Sequence, residues 1–139
     1  MSVAIHILLY LEKYEKEEKV TSEVLADTTG VNAVNIRKTL QLLKNADFIE
    51  IRRGVGGACL KKGPETITVR DIFEAVEGSD EELFHKHEHP NTNCPVGGAI
   101  KGVLDVHLDS WKTMLLREMQ KVTLKDLFLE MQDEIQKNH

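Results

Sequence analysis

His85 to Cys94 reads HKHEHPNTNC: three histidines alternate, and a cysteine follows five residues after the last. Imidazole and thiolate together suit zinc, and His85, His87, His89 and Cys94 are four candidate ligands. Alternating side chains on a helix point about 200° apart, so these histidines converge only on extended backbone. Pro90, Asn91 and Asn93 favour turns instead. Three uses stay open: solvated loop histidines beside a cysteine that starts a helix, a metal site, or a thiol switch at Cys94. The last has a physical basis, because a helix N-terminus stabilises a thiolate.

A second group of residues could bind nucleic acid. Net charge is −5, yet Thr28 to Gly63 holds seven basic residues (Arg37, Lys38, Lys44, Arg52, Arg53, Lys61, Lys62) against two acids, Asp47 and Glu50. From Pro64 onward there are eight basic and fifteen acidic residues. A local basic zone on an acidic body can dock on phosphates. Within it, Asn32 can cap a helix whose first turns carry Val34, Asn35, Arg37 and Lys38. Asparagine suits adenine edges, and arginine or lysine suits guanine edges or phosphates. Arg52-Arg53-Gly54-Val55-Gly56-Gly57 then reads as a hairpin tip with two guanidiniums at its base. An arginine there can enter a narrow minor groove.

Other chemistries are poorly served. The glycine run lacks the Gly-Lys-Ser/Thr ending of a P-loop, and Cys59 stands where a dinucleotide fingerprint needs glycine. No nucleophile signature surrounds the two cysteines or six histidines, so the chain is not expected to be an enzyme. Two cysteines are too few for a disulfide framework and favour a reducing cytoplasm. The longest apolar run is far below the roughly 20 residues of a membrane span, and the start does not read as a signal peptide.

These residues need elements to position them. At 139 residues the chain fits one domain, or one with an appendage. Ile5, Leu8, Leu9 and Leu11 predict a first helix over Met1–Tyr14. Thr21 or Ser22 caps a short second helix ending near Thr29-Gly30. The third runs from Asn32 to about Asn45-Ala46, with Ile36, Leu40 and Leu43 on one face. FIEIR (48–52) alternates like a strand, and Cys59-Leu60-Lys61 is its return. This is the winged helix-turn-helix order. Thr68…Asp71, Ser79…Glu82 and Thr123…Asp126 share one capping grammar, the two Asp cases being weaker versions. They predict helices over about 68–77, 79–86 and 123–136. Pro95 opens a long helix to about Gln120. Its stripe of Ile100, Val103, Leu104, Leu108, Trp111, Leu115 and Met119 is too wide to be buried within one small domain, so a second copy is expected to cover it.

The chain resembles the Rrf2 family of bacterial winged-helix transcription regulators over almost its whole length. The anchors are Gly30 with the helix 32–44, RRGVGGACL at 52–60, ITVRDIFEAVEG at 67–78, NCPVGGAI at 93–100 and VTLKDL at 122–127. HEHPNTNCPVG is most similar to the YwnA-like branch, which lacks the iron–sulfur cysteines. The resemblance implies a mainly α fold with a small two-stranded β-wing. Its parts are a DNA-binding domain at 1–78, a linker or sensor loop at 79–94, a dimerisation helix at 95–121 and a C-terminal helix at 122–139 packing back on the first domain. It implies a cytoplasmic homodimer, a repressor on a partly palindromic operator of double-stranded DNA, with an effector the sequence does not name. The DNA-contacting set is Asn32, Val34, Asn35, Arg37, Lys38, Arg52, Arg53, Gly54 and Gly56, with the wing arginine of the family at Arg53.

Two departures stand out. The family usually has more residues before Ser2, often including a basic one near DNA. Cluster-binding members also place three closely spaced cysteines where this chain keeps Cys94. One subunit cannot then assemble an iron–sulfur ligand set, so no cofactor is expected. Two alternatives to a DNA-reading regulator are a winged-helix module that binds a protein partner and a regulator gated by a small molecule or by the thiol.

Overall fold

A computed structural model describes residues 1–52, 57–78 and 89–138. Helix α1 (Ser2–Tyr14) places Ala4, Ile7, Leu8 and Leu11 on one face, and all four are buried. Helix α2 (Ser22–Thr29) starts where the Thr21 hydroxyl accepts the Val24 N–H at 3.2 Å. It ends at Gly30, whose φ of 73° is left-handed. Helix α3 (Ala33–Asn45) begins with Asn32 Oδ1 accepting the Asn35 N–H at 2.9 Å. Its inner face is Ile36, Leu40 and Leu43, as the periodicity predicts.

A left-handed Asp47 (φ 62°) turns the chain out of α3, with the Phe48 N–H donating to Leu43 O. Strand β1 (Ile49–Arg52) and strand β2 (Gly57–Leu60) pair antiparallel, Ile49 opposite Leu60 and Arg52 opposite Gly57. The returning strand therefore starts two residues earlier than Cys59, and Lys61 lies outside it. Gly57 closes the ladder opposite Arg52 and also forms a bridge with Val20.

A 3-10 turn at Pro64–Thr66 leads to helix α4 (Val69–Glu77). Thr68 and Asp71 form a reciprocal capping box, and so do Thr123 and Asp126 at the head of helix α6 (Leu124–Lys137). Both bonds of the box form in each case, although aspartate is one methylene shorter than glutamate. Each aspartate accepts the N–H of its own threonine, at 3.0 and 2.9 Å. The two caps also face each other. The Val69 N–H donates to Val122 O and the Leu124 N–H to Ile67 O, both at 2.8 Å. The third expected cap, Ser79 to Glu82, lies outside the described residues, as does its helix.

The core gathers Ile7, Leu8, Leu11, Leu25, Ile36, Leu43, Ile49, Ile67, Ile72 and Leu124, all fully buried. Leu124 brings α6 into this core, where it packs along α1. Helix α5 (Pro95–Gln120) is different: none of its 26 residues is buried. The molecule is thus a mainly α winged helix with a two-stranded wing and one long helix.

Candidate nucleic-acid interface

Burying Ile36, Leu40 and Leu43 forces the opposite side of α3 outward. Asn32, Val34, Asn35, Arg37 and Lys38 are all exposed there, Val34 at 56%. An exposed valine at the start of a helix beside asparagine and two cations can offer apolar contact to thymine methyls. The capping bond at Asn32 holds this end of α3 in a fixed conformation.

The wing is seated by main-chain contacts. The Ala58 N–H donates to Val20 O at 2.9 Å, and Val20 and Gly57 form an isolated bridge. The Leu60 N–H donates to the Glu15 carboxylate at 2.5 Å. Gly57 has a φ of 63°, and a Cβ there would overlap the Val20 carbonyl. Sequence reasoning placed the wing but missed what seats it. Its partners, Glu15 and Val20, lie far up the chain and carry no local signal. Arg53, Gly54 and Gly56, expected at the tip, lie outside the described residues.

Several cations of the basic zone meet carboxylates. Arg37 Nη1 lies 3.4 Å from Ser22 Oγ and 3.8 Å from Glu23 Oε1, both on the first turn of α2. Arg52 donates from Nε and Nη2 to Glu50 Oε1 at 3.2 and 3.0 Å. The Cys59 thiol, directly across the ladder, donates to the same oxygen at 3.5 Å. Lys61 pairs with Asp47 at 3.2 Å, and Lys62 lies over the Phe48 ring. The Arg52 hydrogen bonds, then the Cys59 thiol, hold the Glu50 carboxyl below its usual range. Burial, then Glu50, pushes the Cys59 thiol up. Arg37, Arg52, Lys19 and Ser22 rim a depression of about 360 Å³ between α2, α3 and the wing, with Leu40, Ile51 and Ala58 among its apolar lining.

Cys94 is exposed at the N-cap of α5. The backbone N–H groups of Gly97 and Val96 lower its thiol pKa. His89 is exposed, whereas His85 and His87 lie outside the described residues. Among the described residues no three His, Cys, Asp or Glu side chains gather as a metal site. An iron–sulfur cluster does not fit the donor set of one chain, since its two cysteines sit on β2 and at the start of α5.

Along α5, Val103 (57% exposed), Leu104, Trp111 (49%) and Leu115 face solvent, with Ile100 and Leu108 partly covered. The His107 ring stacks on Trp111 at 5.7 Å. No described helix is long and apolar enough to cross a membrane.

Residues 1–130 match the Rrf2 family, described as iron-dependent transcriptional regulators. The HTH-type transcriptional regulator YwnA of Bacillus subtilis, itself provisionally assigned, is 41% identical over 127 residues, covering 91% of this chain and 92% of that protein. A crystal structure provisionally described as a DNA-binding protein is 36% identical, covers 91% of this chain and 96% of its own, and superposes with a TM-score of 0.72. The structure of CymR, the global cysteine regulator of B. subtilis, shares the fold at 22% identity and a TM-score of 0.63, over 91% of each chain. YwnA and the family are described as transcriptional regulators rather than enzymes. The chain therefore belongs to the Rrf2 family of DNA-binding transcriptional regulators.

Proposed function

We propose that the protein is a homodimeric, sequence-specific repressor acting in the cytoplasm on a partly palindromic operator. The observation that carries the DNA-reading half is the solvent-facing start of α3, with Val34, Asn35, Arg37 and Lys38 beside a wing seated on Val20. Base edges are read by Val34, Asn35 and Lys38, phosphates are met by Arg37 and Arg52, and Arg53 at the wing reaches the minor groove. Asn32 fixes the helix start, and Gly54 and Gly56 let the wing backbone approach the duplex.

The apolar stripe of α5 supports the homodimer. Covering Val103, Leu104, Trp111 and Leu115 with the same stripe of a second copy buries what one chain leaves in water. Residues 1–78 are then the DNA-binding domain, 79–94 the sensor segment, 95–121 the dimer helix and 122–139 the strut that packs back. Cys94, exposed at the start of α5, is the candidate for a thiol-reactive signal, and the direction of its pKa shift is consistent with that.

Enrichment of genomic fragments by the purified protein, with and without oxidant, tests this function. A recurring two-fold symmetric sequence is expected, lost on Arg53→Ala. Binding indifferent to sequence refutes it, and capture of a protein partner with no selected DNA favours the interaction-module alternative.

A further inference from the structure

The zone expected to meet DNA is partly neutralised by its own chain. Arg37 and Arg52 line the same depression, and each lies beside a carboxylate: Glu50 on β1 accepts two hydrogen bonds from Arg52, and Glu23 on α2 forms a longer ion pair with Arg37 at 3.8 Å, whose hydrogen bond goes to Ser22. Neither acid belongs to the buried core. Both are solvent-exposed to a large degree, with side-chain exposures of 73% and 47%. Glu50 nonetheless takes three donors on one oxygen: two from Arg52 and the Cys59 thiol. A carboxylate oxygen with converging guanidinium N–H groups is the same recognition that an arginine makes with a phosphate.

We propose that Glu23 and Glu50 are positioning residues that stand in for DNA phosphates in the free protein. They hold the Arg37 and Arg52 guanidiniums at the rim of the depression and are displaced when a duplex docks. This rests on the DNA-binding function proposed above and adds to it a built-in competitor. Orientation of the two guanidiniums is fixed before binding, at the cost of exchanging two ion pairs. Sequence-independent binding, which is nearly all phosphate contact, is weakened most by that exchange. Base contacts from Val34, Asn35 and Lys38 are untouched. The carboxylates thus lower background binding more than operator binding.

The test uses the full-length protein and a fluorescein-labelled duplex of mixed sequence three helical turns long, with anisotropy followed across a salt series. Glu50→Gln and Glu23→Gln are each expected to bind about two- to five-fold more tightly than wild type, the range that follows from an exposed ion pair. The slope of log affinity against log salt should be no shallower than that of wild type, since the same guanidiniums meet phosphate in every complex. Glu130→Gln on the exposed side of α6 changes net charge equally and should bind as wild type. Melting temperatures of all variants should match, since exposed pairs contribute little to stability.

Unchanged or weaker binding by both variants overturns the inference, and so does equal tightening by Glu130→Gln, which would make it an effect of net charge. A drop of several degrees in melting temperature together with weaker binding assigns the carboxylates a structural role and also overturns it. No binding by wild type or any variant overturns the DNA-binding function itself, and this inference with it.

Discussion

Replacing Gly57 by alanine, with Gly30→Ala as its partner experiment, separates two costs that one glycine usually confounds. Both glycines are left-handed, with φ of 63° and 73°. Forcing a Cβ into that region costs about 1 kcal/mol at either site. Their surroundings differ: nothing lies within 4 Å of a Cβ at Gly30, whereas one at Gly57 would overlap the Val20 carbonyl. That carbonyl accepts the Ala58 N–H at 2.9 Å, so relieving the overlap pushes β2 away and breaks the bond. The lost hydrogen bond and displaced backbone add about 1–2 kcal/mol. Gly30→Ala should therefore cost about 1 kcal/mol and Gly57→Ala about 2–3 kcal/mol. At about 3 °C per kcal/mol for a chain of this size, the melting shifts are about 3 °C and 6–9 °C. Thermal melts at one fixed protein concentration measure both, because dimerisation would make Tm depend on concentration. DNA affinity should fall further for Gly57→Ala than its stability loss accounts for under folded conditions, since the wing is unseated. Equal shifts for the two variants would refute the steric reasoning and leave the backbone conformation as the whole effect.

Thr68→Ala and Thr123→Ala each remove the hydroxyl of a capping box and should cost about 1 kcal/mol, read as a melting shift of about 3 °C. The double variant should fall short of or exceed the sum, because the two caps are bridged to each other. Cys94 should be alkylated by a maleimide well before Cys59. The first thiol has a lowered pKa and ionises at lower pH, and the second has a raised one and reacts only as pH climbs further. Mass spectrometry of partly labelled protein at pH 7 and pH 9 reads the order, and Cys59 labelling first would contradict it. Val103→Glu together with Trp111→Glu should leave a folded monomer by light scattering, and persistence of a dimer would move the interface away from α5.

Much of the fold was legible because its punctuation is local. Asn32, Thr68 and Thr123 each announce a helix start within a few residues, and all three hold the caps expected of them. Ile36, Leu40 and Leu43 fix which side of α3 is buried, so the exposed side carrying Asn35, Arg37 and Lys38 follows without knowing any contact. What was not legible depends on partners distant in sequence. Gly57 looks like any tip glycine until Val20 lies against it, and Glu23 looks like an ordinary first-turn acid until Arg37 folds across to it. Whether each aspartate reaches back to its threonine N–H was not legible either, because that depends on the backbone conformation at the threonine.

The back-to-back caps at Thr68 and Thr123 make α5 a cantilever. Two main-chain hydrogen bonds and the Arg70–Gln120 contact clamp its C-terminal end to the head of α4. Its other end, at Pro95, lies about 39 Å away along 26 residues of helix. A tilt of about 5° at the clamp moves that far end by about 3.4 Å, the rise of one base pair. In the proposed dimer two such beams would pair, and half-site spacing would depend on the stiffness of these clamps. Small strains at the Pro95 end would then reach the DNA as a change of helical phase.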